Sequence, residues 1–424
     1  METITEQLVV TLGDRRVGIL SRQNGRLAFV YAQEWLDDSR SHPLSLSLPL
    51  RKAPFADLEA RTWFGNLLPE GDLLGAVARR LGRSTGDVFG LLTDLGGECA
   101  GAISLLPQGK ASPEVGRYQP FPEDELFNLV SADPPLPLLA GETGVRLSLA
   151  GAQNKVPVYV EGNSIFKITG SLATSHILKP PIRAAIDLPH TVENEAFCMQ
   201  LADKLGLNVP NAEVRTVRNL TFYLVQRFDR RRGQGRIERL HQEDFCQALG
   251  VEANLKYEES GGPTLSAIWR LLRSHSSAPA VDGRQLLRWI SFNFLIGNAD
   301  AHGKNLALLY SETGSVRLAP FYDLLCTAVY PELDQRMAMR LGGERRPDRL
   351  RRKHWERLAE ELRIAPRAVF GELENLTRTI ESTAEALAEE FNDRYGCGET
   401  MNAILETIRR RSGRAWAFLG GRPE

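Results

Sequence analysis

The 424-residue chain has no long uncharged apolar run, and its opening residues, M-E-T-I-T-E-Q, carry acids rather than an apolar core. A bilayer-crossing helix needs about 20 consecutive apolar residues. No membrane segment or signal core is therefore expected, and the cytoplasm is the expected location. The five cysteines, Cys99, Cys198, Cys246, Cys326 and Cys397, are scattered, odd in number and without C-x-x-C spacing. That excludes a disulfide framework or zinc ribbon and leaves buried thiols. Neither charge sign is in excess: 52 Lys and Arg face 53 Asp and Glu, a formal net charge of -1. Nothing global draws such a chain to nucleic acid or a membrane surface. The phosphate-binding pattern G-x-x-x-x-G-K-[ST] is also missing.

What is present is concentrated between Phe292 and Asp323: F-N-F-L-I-G-N-A-D-A-H-G-K-N-L-A-L-L-Y, a polar turn at Gly314, then R-L-A-P-F-Y-D. The apolar run up to Ile296 reads as the end of a buried helix stopped at Gly297-Asn298. Leu306–Tyr310 reads as a short buried strand. Between them lies a charged cluster in apolar surroundings, where unpaired charge is costly. Phosphoryl transfer needs such a set: one carboxylate beside the attacking hydroxyl, and an Asn plus a second carboxylate holding Mg²⁺ against nucleotide phosphates. Asp300 is the candidate base, and Asn305 and Asp323 the candidate metal ligands. The Asp-x-x-x-x-Asn spacing is that of a protein-kinase catalytic loop, although no His-Arg precedes Asp300 and no Phe-Gly follows Asp323. Taken singly, Asp300 or Asn305 is better read as a cap of a helix or strand end; it is the set that points to chemistry. For His302, a hydrogen bond that holds the loop is the plainer role.

Upstream, Val9–Thr11, Arg16–Leu20 and Leu27–Tyr31 read as strands of a small antiparallel sheet with turns at Gly13-Asp14 and Asn24-Gly25. Leu44–Leu50 alternates as L-S-L-S-L-P-L, and helical stretches follow at Leu73–Leu81 and Val88–Leu92. Residues 109–139, richer in Pro and acids, read as a connector with one amphipathic segment. At 148–155, S-L-A-G-A-Q-N-K precedes a strand and a hairpin, so small side chains there could let backbone N–H groups approach phosphates. Lys179, after Ile177-Leu178 and before Pro180-Pro181, is held at a fixed point as a phosphate-binding lysine. Thr191 is the expected cap of the following helix, and Glu193 or Glu195 could pair with Lys179 or serve only the helix dipole. The strand ending L-V-Q-R-F-D-R-R-R is the expected hinge, with Gln226 and Phe228 offering backbone to an adenine edge. Arg230–Arg232 are expected to be solvated, as is the basic run 345–353. Helices are expected at Gln242–Leu249, Thr264–His275, Arg284–Ile296, His354–Leu362, Pro366–Asn392 with breaks, and Gly398–Arg411.

Several rare strings occur here in one order: P-L-S-L-S-L-P-L, L-S-L-A-G-A-Q-N-K, T-S-H-I-L-K-P, V-E-N-E, V-Q-R-F-D-R-R, N-A-D-A-H-G-K-N and P-F-Y-D. In these the chain resembles, over nearly its whole length, the HipA-type toxin kinases of bacterial toxin–antitoxin pairs. The resemblance implies an α+β, two-lobed protein-kinase-like fold with an extra N-terminal α+β unit (1–108). The connector (109–139), a sheet-rich N-lobe (140–228) and a mostly helical C-lobe (229–424) would follow. It implies ATP and Mg²⁺ as cofactors, Asp300 as base, Asn305 and Asp323 as Mg²⁺ ligands and Lys179 on the ATP phosphates. The nucleotide would further meet Ser148, Ala150, Gly151, Ala152, Gln153, Lys155, Gln226, Phe228, His302 and Lys304. Ser148 would be an autophosphorylation site whose charge ejects the loop and switches the enzyme off. The implied partners are a dimeric helix-turn-helix antitoxin of the HipB kind, through which alone DNA is met, and a protein substrate, an aminoacyl-tRNA synthetase. Asn154 stands where many relatives of this kind carry an acid. Two other readings use the same residues: a catalytically weak co-repressor scaffold, and a lipid or small-molecule kinase.

Overall fold

The computed structural model describes residues 5–109, 116–132, 150–151, 153–170, 172–183, 188–233 and 236–421. Alternating apolar residues in Glu6–Leu12, Arg15–Gln23 and Arg26–Tyr31 form an antiparallel meander, and Ile103–Pro107 pairs with the first strand to complete a four-stranded sheet. Asn24 and Gly25 both take left-handed φ, 51° and 75°, as a tight two-residue hairpin turn requires. Helices Asp57–Gly65 and Val88–Leu95 pack on this sheet around Val10, Leu20, Phe29, Trp63, Phe64 and Leu91. The alternating run 44–50 is not a strand. Leu44 and Leu48 enter that core, while Ser45 donates to the Glu243 carboxylate (2.5 Å) and Ser47 to the Gln247 carbonyl (2.7 Å). The run thus fastens the first unit to the helical lobe.

A second, six-stranded antiparallel sheet has the order Arg117–Pro120, Ser164–Thr169, Val156–Glu161, His176–Lys179, Leu220–Gln226, Ala212–Val217. The segment expected to be a connector therefore supplies the edge strand. It also supplies the helix Glu123–Ser131, whose Leu126, Leu129 and Val130 pack against Val156, Phe222 and Leu224. Helix Thr191–Lys204 lies between this sheet and the helical lobe and is buried on nearly every face. His190, at φ 54°, is its N-cap residue. The Thr191 hydroxyl instead accepts the Ile182 N–H (2.9 Å), so the expected Thr191 cap is not formed.

The last lobe is built on Leu265–His275, Pro279–Ile296, Arg352–Leu362, Pro366–Tyr395 and Gly398–Leu419. Pro366–Tyr395 runs unbroken for 30 residues. A glycine inside a helix costs about 1 kcal/mol, and the stripe Val369, Leu373, Leu376, Ile380, Leu387 and Phe391, all buried, outweighs what Gly371 loses. The helix expected over Gln242–Leu249 is split. Gln242–Asp244 pairs as a strand with Ala307–Tyr310, and the helix starts at Phe245, where Asp244 and Gln247 form a reciprocal capping box. Val316–Leu318 completes this three-stranded sheet.

The expectation of a solvated Arg230 also fails. Arg227, Asp229, Arg230 and the first unit's Glu98 form a buried ionic cluster. Arg227 Nη2 is 2.7 Å from Asp229 Oδ2, and Arg230 Nη2 is 2.7 Å from Glu98 Oε1. The Gly101 N–H donates to Asp229 Oδ2 (2.6 Å). Buried guanidinium ions persist only with such partners. All five cysteines are buried and none forms a disulfide. Among the described residues no helix is long and apolar enough to cross a membrane.

Candidate active site

Helix Pro279–Ile296 ends at Gly297, φ 74°, whose N–H bonds back to the helix. A Cβ there would lie 2.7 Å from Thr407 Cγ2 and 2.9 Å from Ala328 Cβ. Only glycine makes this turn without displacing both. The loop beyond is held by its own polar atoms. Asn298 Oδ1 accepts the Asp300 N–H (3.0 Å), and Thr327 Oγ1 accepts that of Ala299 (2.7 Å). The His302 N–H bonds the Asp300 carbonyl (2.9 Å) and the Asn305 N–H bonds the His302 carbonyl (3.0 Å). Asn305 Nδ2 donates to the Asp300 carbonyl (3.1 Å). An amide has one donor end and one acceptor end, so Asn305 is left with its oxygen free for a hard cation.

Asp300 and Asp323 face one cleft of about 740 Å³ between the lobes. Asp300 Oδ1 accepts a hydrogen bond from the Tyr257 hydroxyl (2.7 Å). Burial pushes its carboxyl above the ordinary value, against the pull of that hydroxyl and of Lys256. Asp323 sits at φ 60°, in the left-handed region, a conformation that a short polar residue tolerates. Burial opposes its charge, but Lys179 and Lys155 outweigh burial and hold the carboxyl well below the usual carboxylate range.

Lys179, at the end of its strand, is 6% exposed. Its ammonium bonds both Glu195 Oε1 (2.7 Å) and Asp323 Oδ1 (2.6 Å). Glu195, not Glu193, is thus its helix partner; Glu193 accepts from the Thr221 hydroxyl (2.6 Å). Lys155 Nζ donates to the Ala150 carbonyl (2.7 Å), and burial, then repulsion from Lys179, lowers its pKa to about 8. Gly151, at φ 114°, holds a backbone conformation that strains any residue with a side chain, and Lys155 Nζ lies 2.5 Å from where its Cβ would be. Ala150, Gly151, Gln153 and Lys155 line the cleft. Ser148 and Ala152 lie outside the described residues.

The remaining candidates divide. His302 lines the cleft as a neutral ring, since burial and then Lys256 take its pKa down to about 3. Its Nδ1 is buried without a hydrogen-bond partner. Lys304 reaches the cleft wall, but its ammonium is bonded to Asn66 Oδ1 (2.7 Å) and Asp244 Oδ2 (2.6 Å), which ties the loop to the first unit. Gln226 and Phe228 line the cleft as well. The Gln226 N–H is already bonded to the Asn211 carbonyl (2.9 Å), and the Phe228 ring stacks on Tyr322 at 5.3 Å, next to Asp323.

The donor set suits a magnesium–nucleotide pair. Among the described residues no group of three His, Cys, Asp or Glu side chains could hold a metal alone. Mg²⁺ normally takes only one or two carboxylates and completes its octahedron with water and phosphate. One carboxylate, one amide oxygen and two nearby ammonium groups match that demand. Sequence reasoning missed the first unit's part in the cleft. Asn66 and Glu70 line it, with Lys256 and Tyr257 from the C-lobe, and none of the four sits in a motif that signals chemistry.

A sheet lysine paired with a helix glutamate, opposite an Asp-x-x-x-x-Asn loop in a two-lobed α+β chain, defines a kinase. Residues 8–106 match the HipA N-terminal domain, and 147–394 the HipA-like C-terminal domain. Y4mE of Sinorhizobium fredii, a protein carrying a kinase name, is 43% identical across 92% of this chain and 93% of its own length. The serine/threonine-protein kinase toxin HipA of Shewanella oneidensis is 31% identical across 91% of this chain and 89% of its own. A solved complex of Shewanella oneidensis HipA with HipB and its operator DNA superposes with a TM-score of 0.82 at 27% identity, covering 98% of this chain and 100% of that one. The chain belongs to the HipA family of serine/threonine kinases.

Proposed function

We propose that this chain is an ATP- and Mg²⁺-dependent protein serine/threonine kinase acting in the cytoplasm as the toxin of a toxin–antitoxin pair. The observation that carries the reading is the convergence of Asp300, Asn305, Asp323 and Lys179 on one cleft. Asp300 orients the acceptor hydroxyl and receives its proton as the oxygen attacks the terminal phosphorus and ADP leaves. Lys179, kept charged by Asp323 and Glu195 against burial, binds phosphate oxygens. Asn305 and Asp323 would hold Mg²⁺, which supplies charge neutralisation on those oxygens when bound. Lys155 adds a second cation beside Gly151, where backbone can approach a phosphate.

A serine on a translation-related protein is the acceptor, with an aminoacyl-tRNA synthetase the first to be examined, and Ser148 is the self-inactivating site. The likeness to a HipA structure solved with HipB and operator DNA supports a HipB-like helix-turn-helix dimer as the antitoxin, with DNA reached through it. Phosphoproteomics after brief expression of the wild type and of Asp300→Asn tests the whole reading. Phosphoserine gained on a translation protein only with the wild type is expected. Labelled lipid or small molecule without labelled protein would overturn the protein-kinase reading, and no Asp300-dependent product would favour a co-repressor scaffold.

A further inference from the structure

Glu70, in the first unit, touches both halves of the cleft. Its N–H bonds the Gly151 carbonyl (3.1 Å), on the nucleotide side, as part of a parallel bridge between Pro69 and Gly151. Its carboxylate pairs with Lys256 Nζ (3.0 Å), on the side of the catalytic loop, and both side chains are largely buried, 11% and 15% exposed. The next residue, Tyr257, donates its hydroxyl to Asp300 Oδ1 at 2.7 Å. The Tyr257 ring stands edge-on to His302, centroids 5.3 Å apart at 86°, a contact that favours one orientation of the ring. The surrounding backbone is equally fixed: the Glu258 N–H bonds the Ala338 carbonyl, and the Ala338 N–H bonds that of Ala299, one residue before Asp300. Pro263 packs so close to Gly303 that a Cβ there would meet it at 2.5 Å.

A carboxylate serving as base must present one oxygen to the acceptor, and a misplacement of about 1 Å can cost 10²-fold. A neutral hydroxyl bonded to Oδ1 selects Oδ2 for that task without adding charge. We infer that Tyr257 is a positioning residue for Asp300, and that Glu70, through Lys256, sets Tyr257 and the Gly151 loop in register with each other. The first unit is therefore part of the catalytic machinery, not an appendage to it. The inference rests on the reading of Asp300 as the base.

The test uses the full chain and steady-state kinetics with a protein or peptide acceptor, plus nucleotide affinity by calorimetry. Tyr257→Phe, which keeps the ring, is expected to lower kcat about 10- to 100-fold with KM for ATP within twofold. Lys256→Met and Glu70→Gln should each lower kcat less. Each should fall short of additivity with Tyr257→Phe in the double variant, because part of its effect passes through that hydroxyl. Unchanged kcat in Tyr257→Phe, with Asp300→Asn inactive, overturns the inference and leaves the base in place. Loss of nucleotide affinity in step with kcat also overturns it, since that marks a merely structural role. Full activity in Asp300→Asn instead removes the base itself.

Discussion

The Lys179 ammonium lies 2.6 Å from Asp323 Oδ1. The cation proposed for phosphate and the carboxylate proposed for metal are thus ion-pair partners. Lys179 is 7% exposed at its side chain and Asp323 36%, so the contact chiefly spares the buried ammonium the cost of standing alone.

Lys179→Met leaves Glu195, 5% exposed at its side chain, as an uncompensated buried acid. Removing one partner of a buried pair costs about 3–5 kcal/mol. Chemical denaturation should show a loss of that order, and an unchanged midpoint would refute the buried pairing.

Asp323→Ala removes the carboxylate expected at the metal. Nucleotide affinity measured by calorimetry should fall at least about 10-fold in the presence of Mg²⁺. In EDTA the variant and the wild type should differ little. Equal losses under both conditions would deny metal ligation.

Asp300→Asn preserves shape and loses the proton acceptor. General-base help is worth about 10²–10⁴-fold, so phosphoryl transfer should drop by that factor while nucleotide still binds. A fully active variant would take Asp300 out of the chemistry.

Lys155 has its pKa lowered to about 8, so above that pH the unliganded protein carries it neutral. Bound phosphate favours the charged ammonium. Nucleotide binding at pH 9 should therefore take up a proton, and affinity should fall as pH rises from 7 to 9. Calorimetry in two buffers of different ionisation heat reads the proton directly. Identical heats in both buffers would exclude the linkage, and Lys155→Met should flatten the pH dependence.

Ser148→Ala should stay active during prolonged incubation with ATP, whereas the wild type should lose activity as phosphate accumulates on that serine. Mass spectrometry that finds phosphate only on other residues would dismiss this switch.

Much of the candidate site was legible because its signals are local. Asp300 and Asn305 share one loop bounded by Gly297 and a buried strand, and the apolar pair before Lys179 with two prolines after it marked a fixed cation. The choice between Glu193 and Glu195 was not legible, since both lie in the same turns and only the seating of the helix on the sheet decides it. Tyr257 and Glu70 escaped for a different reason. Tyr257 meets Asp300 across 43 residues of chain, and Glu70 meets Lys256 across 186. No spacing rule reaches that far. Gln242–Asp244 was misread as helix because three polar residues carry no period, and pairing with Ala307–Tyr310 settled it. Arg230 was misread because a run of arginines looks solvated until Glu98 arrives from another unit.

That ionic cluster bears on how the molecule comes apart. Cleaving the backbone near residue 109 and stripping away the first hundred residues would take Glu98 from Arg230 and the Gly101 N–H from Asp229. The segment 227–230 would be left with two guanidinium groups on the single Asp229 carboxylate. A nicked molecule should for that reason stay joined and melt in one step.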